Sequence, residues 1–203
     1  MSFKGFYVLE QRQAGVSRLD DATEKFYRVG PQGGTSTIDP IVTHPMMLRD
    51  YDWPITSNAD AKAIRDFVDL VDGSAVPFWM IGQERDLTMN TTLAVSSDNF
   101  KIAFCGYAAS IFPQGPGRRY LNLRRTTDQI EEMFEVISAV DNADGTETIT
   151  LQSPAGNQFD PATTVISYLR FCRLEDDEVT MDFAGVGVGV GRFRFREIAR
   201  EAP

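Results

Sequence analysis

Few residues in this sequence carry a thiol or an imidazole, the groups that most often act as nucleophiles or metal ligands, and those few are scattered along the chain. Its thiols belong to Cys105 and Cys172, and its one imidazole belongs to His44. A structural zinc site needs four such ligands and a catalytic site needs three. We therefore expect no metal site. Both cysteines lie in apolar, strand-like sequence, which predicts buried thiols, and the sequence leaves open whether they form a disulfide.

Pairs of carboxylates are a second source of chemistry, because two acids placed across a cleft can hydrolyse a glycosidic bond. Such pairs occur at Asp20 and Asp21, at Asp50 and Asp52, and within residues 175–178. With 29 acidic residues in the chain, such pairs arise by chance, and solvated turns are their expected setting. The GxSxG and HExxH motifs do not occur. The sequence predicts no enzyme and no bound cofactor.

The glycine-rich run GVGVGVG invites comparison with a phosphate-binding loop. Such a loop needs a strand before it and a helix after it, whereas strand-like sequence follows this run. Glycines at every second position share one face of a ribbon, where a neighbouring backbone or subunit can approach closely. We therefore predict a flexible hairpin arm that makes assembly contacts. Its contact residues would be Gly185, Gly187, Gly189 and Gly191.

The elements that must position these residues are organised around a helix followed by a strand, in residues 53–80. Ser57 suits the N-cap of the helix, Asp60 gives a near-match to the capping box, and Gly73 can adopt the left-handed conformation that ends a helix. The predicted helix covers residues 58–72. Its apolar stripe comprises Ile64, Phe67, Val68 and Val71.

Apolar residues 75–81 form the predicted strand after this helix. Pro77 cannot donate to a β-ladder, so it indicates an edge strand or the start of a strand. Residues 85–89 are expected to extend this strand or to pair with it. At the N-terminus, residues 3–9 predict a single strand.

Elsewhere the sequence predicts a series of β-strands. The clearest local signal is a hairpin whose glycine-bearing turn covers residues 141–145. Near the C-terminus, one strand is expected to be buried on both faces, and another carries arginines on its outer face and phenylalanines on its inner face. The predicted strands lie at 93–95, 101–105, 107–112, 120–123, 134–140, 146–151, 165–174, 179–183 and 192–196.

Composition limits the possible partners. With 42% hydrophobic and 24% charged residues among its 203, the chain resembles an ordinary globular protein. Its net charge of −9 argues against a nucleic-acid binder that relies on phosphate contacts. No apolar run is long enough to span a bilayer, and the first residues lack the apolar core of a signal peptide. We expect synthesis in the cytoplasm, without membrane insertion.

Two stretches resemble tail-tip proteins of long-tailed bacteriophages, specifically the distal tail protein and minor tail protein group. FVDLVDGSAVPFWMIGQERDL (67–87) has their helix ending in glycine, their apolar strand with an aromatic pair, and their polar loop. YLRFCRLEDDEVTMDF (168–183), the glycine run and RFRFREI (192–198) resemble their closing strands. The resemblance covers residues 41–89 and 165–200, roughly half of the chain. The lack of a cysteine set separates this sequence from the members that carry iron–sulfur clusters.

This resemblance implies a structural subunit of the virion. It would form a ring, expected to be hexameric, that joins the tail tube protein to the tail hub protein and the adsorption device. DNA would pass through the ring without specific binding. Because phosphate contacts would retain DNA, we expect acidic or neutral groups in the channel, with Asp20, Asp21 and Glu24 as candidates. The arginine pairs Arg118/Arg119 and Arg124/Arg125 are expected to form salt bridges, either within a subunit or between subunits.

The implied fold is mainly β, in the α+β class. Residues 1–89 and 164–203 would form a split ring domain, a β-sandwich or barrel-like unit with one packed helix. Residues 90–163 match no pattern and would form an inserted small β module. The alternative function is that of a carbohydrate-binding or glycan-cleaving β-sandwich protein, which would be a monomer that retains or hydrolyses glycans.

Overall fold

The computed structural model describes residues 1–9, 48–82, 85–175, 179–185 and 188–203. It shows a mainly β protein with one main helix, which confirms the predicted fold class. The helix is α1 (Asn58–Val71). The first five strands are β1 (Ser2–Phe3), β2 (Phe6–Leu9), β3 (Leu48–Ile55), β4 (Phe78–Ile81) and β5 (Asn99–Ala103). The others are β6 (Tyr120–Arg125), β7 (Glu131–Asp141), β8 (Thr146–Leu151), β9 (Thr164–Leu174), β10 (Thr180–Gly185) and β11 (Val188–Glu197).

All eleven strands belong to one connected sheet. Eight of them follow the order β1-β2-β4-β9-β6-β7-β8-β5, and β11 joins this path through β9. Along one side, β11 pairs with β9 and with β10. Along its other side, β11 pairs with β3. The pairing of β2 with β4 is parallel, whereas the other strand pairs are antiparallel.

Helix α1 begins and ends as its sequence predicts. The Ser57 hydroxyl accepts a hydrogen bond from the Asp60 N–H at 3.2 Å, and Asp60 accepts bonds from Thr56 and Ser57 in return. The helix ends at left-handed Asp72 and Gly73, with φ of 48° and 59°, one residue earlier than predicted. The buried residues of its apolar face are Ala61, Ile64, Phe67 and Val71.

The centre of the sheet is buried on both faces. Along β4, Phe78 and Met80 pack towards α1, while Trp79 and Ile81 pack towards the opposite face. β9 is likewise buried on both faces, as predicted: Cys172 and Leu174 pack towards α1, and Leu169 and Phe171 pack towards the opposite face. β4 pairs with β2 and with β9, so it is an interior strand, and the edge alternative for Pro77 is wrong. Pro77 immediately precedes the strand, where its missing N–H costs no ladder hydrogen bond.

β9 joins the two predicted parts of the chain. Its first residues pair with β6 of the predicted insert, and its later residues pair with β4 beside the helix. Besides the apolar residues on the two faces of β4, a further apolar core includes Phe100, Tyr107 and Phe159 of the predicted insert together with Leu87 and Ile166 from outside it. The division into a split ring domain and an insert remains a prediction.

Three of the predicted strands have another structure. Residues 93–95 contribute only an isolated bridge between Leu93 and Phe159. The N-terminal strand is a hairpin, because Lys4 and Gly5 have positive φ angles and turn the chain between β1 and β2. Residues 107–112 form a π-helical turn (Tyr107–Ile111) that leads into a 3-10 turn. Left-handed Gly106, with φ of 76°, starts this turn, and a distant carboxylate, described below, holds it.

Other predictions hold with small shifts. The hairpin of β7 and β8 forms around residues 141–145 as predicted. In β11, Phe193 and Phe195 are buried while Arg192 and Arg194 are exposed. Residues 85–89 are an exception: Leu87 pairs with Ile166 of β9, so these residues neither extend β4 nor pair with it, and that prediction is wrong.

Candidate assembly surface

The glycine-rich run lies in a three-stranded extension of the sheet, formed by β10, β11 and β3, which we call the arm. β9 and β10 follow one another along the same side of β11. β9 pairs with the last residues of β11, and β10 pairs with its first residues. Along the other side, β3 pairs with β11 over eight residue pairs. The arm therefore continues the central sheet outward past the end of β9.

One face of the arm packs against α1. Phe67 of the helix contacts Trp53 and Phe193, with ring centroids 6.3 and 5.9 Å apart. Ile64 lies over Gly191, where an added Cβ would stand 2.7 Å from its Cδ1 atom. This face is thus part of the core and has no room for a second subunit.

The opposite face of the arm is exposed to solvent, and an arginine on it is paired with two acidic residues. Arg192 lies between Asp52 of β3 and Asp182 of β10, at 3.7 and 3.4 Å. All three side chains are more than half exposed. An exposed ion pair contributes at most about 1 kcal/mol to folding, so this ladder stabilises the arm only slightly. Its main consequence is that the positive charge of Arg192 has a carboxylate on each side, from Asp52 and from Asp182.

The far end of the arm presents apolar side chains to solvent. Phe183 is 53% exposed and Val188 is 54% exposed, and Ala184 between them is exposed as well. We call these three residues the apolar tip. Phe183 lies opposite Gly189, the neighbour of Val188, so alternation along the strand puts Phe183 and Val188 on opposite faces of the hairpin, and the tip exposes apolar side chains on both faces.

The arm also has open strand edges within the described part of the chain. There, β10 and β3 each pair with β11 alone. By contrast, the edge of β5 in the insert is covered by its own chain. Asn90 and Thr91 donate to the Lys101 carbonyl, and Ala103 donates to Thr88. Unpaired N–H and C=O groups along an edge can pair with another chain.

The four predicted contact glycines have different surroundings. Gly191 is covered by Ile64, and an added Cβ at Gly189 would stand 2.3 Å from the Asp182 carbonyl oxygen of the same hairpin. The close approach predicted for these two thus occurs within the subunit. Gly185 has no atom within 4 Å of an added Cβ. Gly187 lies outside the described residues, as do the predicted channel acids Asp20, Asp21 and Glu24.

Three arginines of the predicted basic cluster form salt bridges within the subunit. Arg118 binds Glu197 at 2.6 Å, Arg124 lies 3.9 Å from Glu131, and Arg125 binds Asp128. Arg119 lies over the ring of Phe112 at 4.7 Å.

The acidic residue Asp52 belongs to a strand and pairs with Arg192, so the solvated turn expected for it is wrong.

Glu197 ties the end of β11 to the insert. Its carboxylate accepts from Arg118 and, at 3.3 Å, from the buried Arg170. Beside it, Gly117 lies so close to Ala199 that an added Cβ would stand 2.2 Å from the Ala199 Cβ. These contacts fix the loop before β6 against the C-terminal residues. Nothing in the local sequence around Glu197 indicates this role.

A second carboxylate that the sequence does not reveal is Glu147 of β8. It is fully buried and accepts N–H bonds from Cys105, Tyr107 and Ala108 at 2.8 to 3.1 Å. Burial alone would raise its pKa, but these amide bonds outweigh burial and lower the pKa of Glu147. Glu147 is therefore a charged anchor for the turn at residues 104–108.

The two cysteines are free, and only Cys172 is buried. The prediction of a buried thiol is wrong for Cys105, which is exposed although its N–H donates to the buried Glu147. Partial burial and the neighbouring Glu147 charge raise the pKa of the Cys105 thiol, which lowers its reactivity at neutral pH.

Among the described residues, no group of three potential ligands could hold a metal ion, and no helix is long and apolar enough to cross a membrane.

Comparison with known proteins adds no relative. No protein-family model matches the chain, and no curated protein matches it.

Proposed function

We propose that this protein is a structural subunit of a phage tail tip, most like a distal tail protein, that assembles into a ring. The observation that carries this proposal is the arm, which combines an apolar tip with strand edges that no described residue of the chain covers. Both features favour contact with another protein chain. Because the edges belong to different strands, β3 and β10, contact between unlike edges would be heterologous and could close a ring.

The sequence resemblance and the arm involve the same elements, which further supports the proposal. Residues 67–87 contain the end of α1 and all of β4, and residues 168–198 contain most of β9 and all of β10 and β11. The ring function therefore belongs to the helix, the central strands and the arm. The insert, which matches no pattern, would project from the ring.

An open path for DNA requires a surface that does not retain phosphates. The net charge of −9 and the compensation of Arg192 by Asp52 and Asp182 are consistent with such a surface. Asp20, Asp21 and Glu24 remain the predicted channel acids. The ring would bind the tail tube protein on one side and the tail hub protein on the other, within the virion. It would have no catalytic role and no cofactor.

The ring is tested by the mass of the purified protein in solution and by electron micrographs. We expect the native chain to form a closed oligomer, a hexamer by the resemblance. Phe183→Asp with Val188→Asp should give a monomer with an unchanged melting temperature, because both side chains are exposed.

Val95→Asp is the matched control, since Val95 is 56% exposed but lies outside the arm. This variant should form rings as the native chain does. A native chain that stays monomeric at all accessible concentrations would contradict the proposal. Rings that survive both arm substitutions would show that the apolar tip is not the contact.

A further inference from the structure

Strand β10 of the arm is exposed along nearly its whole length. Its residues are exposed except for Met181, which is half-buried. Among the described residues, only β11 pairs with β10, so the N–H and C=O groups along its other side have no ladder partner there. An open edge of this kind can accept a further strand through main-chain hydrogen bonds.

The pairing register determines which side chains of β10 lie on each face of the arm. Met181 is opposite Gly191, which lies beneath Ile64, so Met181 shares the face that packs against α1. Asp182, the next residue, lies on the other face, where its carboxylate is 3.4 Å from Arg192. A strand added to β10 would therefore meet an apolar side chain on one face and a carboxylate on the other.

Acidic and basic side chains alternate across the solvent-exposed face of the arm. Asp52 of β3 and Asp182 of β10 flank Arg192 of β11, so the charges run negative, positive, negative from one strand to the next. Opposite charges on neighbouring strands stabilise a sheet, whereas like charges destabilise it. The position beside Asp182 on an added strand therefore favours lysine or arginine.

We propose that the edge of β10 binds an extended segment of a different protein, in which a basic residue lies between apolar residues. The basic residue would pair with Asp182, and its apolar neighbours, on the other face, would cover Met181. β11 has this pattern at Arg192, Phe193 and Arg194, but it is paired along both sides, so a second copy of the chain cannot offer it. This role of β10 rests on the assembly function proposed above for the arm.

The edge is tested with a short blocked peptide in which valine and lysine alternate, labelled with a fluorophore and mixed with the full chain. Fluorescence anisotropy at low salt should show saturable binding, and binding should weaken as salt screens the charges. A peptide with glutamate in place of lysine should bind more weakly. A lysine peptide that is methylated at every backbone nitrogen should not bind, because it has no N–H group for the ladder.

Asp182→Lys should reverse this preference. It should weaken binding of the lysine peptide roughly fivefold, because one pair of opposite charges becomes a pair of like charges. The fold should survive the change, since the Asp182 side chain is 56% exposed. Asp98→Lys is the matched control, because it alters the net charge equally at an exposed residue of the insert. This control should bind the lysine peptide nearly as the native chain does.

The proposal is overturned if the lysine peptide does not bind, if the methylated peptide binds equally, or if Asp98→Lys weakens binding as much as Asp182→Lys. The mass of each sample in solution tests the ring separately. Asp182→Lys should keep the oligomeric mass of the native chain, and a fall to monomer would overturn the proposal by showing that β10 pairs with a second copy. A native chain that is monomeric but binds the lysine peptide would contradict the ring alone and support the role of β10.

Discussion

Gly191 lies directly beneath Ile64, so that β11 and α1 touch at a point where no side chain fits between them. An added Cβ at Gly191 would stand 2.7 Å from the Ile64 Cδ1 atom. The glycine run thus contributes to the core of the protein at one end, near Gly191, and to the exposed hairpin at the other end, near Gly185.

The first prediction follows from this contact. Gly191→Val should destabilise the fold by about 2 kcal/mol, because overpacking forces Ile64 or the strand to move. Chemical unfolding of the purified protein measures the change. Gly185→Val is the control, since its Cβ would meet no atom within 4 Å. Equal stability of the two variants would mean that Ile64 does not cover Gly191.

The helix stripe gives a second prediction. Phe67→Ala should lower the free energy of unfolding by roughly 3–5 kcal/mol, because a buried ring that contacts Trp53, Phe78 and Phe193 would leave a cavity. Ring formation should be lost through unfolding. Leu70→Ala, at a side chain of the same helix that is 53% exposed, should change the melting temperature little. An unchanged melting temperature for Phe67→Ala would show that the stripe is not buried.

Glu147 gives a third prediction. Glu147→Gln should cost about 3 kcal/mol, because the amide replaces an acceptor and leaves buried N–H groups without a bond. Hydrogen exchange should become faster at Tyr107 and Ala108. Lys101→Gln is a suitable control, because it alters the same end of the insert without touching these N–H groups. Unchanged protection of Tyr107 and Ala108 would rule out the anchoring role of Glu147.

The pH dependence of stability gives a fourth prediction. The pKa of Glu147 is lowered in the folded protein, so its contribution is fully present above its unfolded pKa of about 4.3 and is lost as the pH falls through the folded pKa. Native stability should therefore decrease with acidity below about pH 4.3. The Glu147→Gln variant should lack this loss of stability at low pH. If the stability of the variant fell with pH as steeply as that of the native protein, Glu147 would not be its cause.

The junction at Glu197 gives a fifth prediction. Glu197→Gln should destabilise the protein by roughly 3 kcal/mol, because it removes the carboxylate that pairs with the buried Arg170 at 3.3 Å. A double-mutant cycle with Arg118→Met measures how strongly Arg118 and Glu197 are coupled. We expect a coupling of roughly 1 kcal/mol or more, since Glu197 is nearly buried. Purely additive changes would show that Arg118 does not hold the loop before β6.

Features encoded within a few neighbouring residues could be read from the sequence. Ser57 and Asp60 cap the helix through groups three residues apart, and the alternation of Arg192 to Arg196 sets both faces of β11. The hairpin at residues 141–145 is equally local. For the candidate site, the sequence indicated an arm at the glycine run, but not that Phe183 and Val188 would form its apolar tip.

The tertiary structure decided what depends on distant partners. Residues 107–112 have the composition of a strand, but Glu147, about forty positions further along the chain, accepts their N–H bonds and turns them into a π-helical turn. Gly191 resembles the other glycines of its run until Ile64 is placed above it. Likewise, β9 joins two sheet regions because β4 and β6 pair with its two halves. Local propensity cannot express such contacts, since their energy comes from groups that only the folded chain brings together.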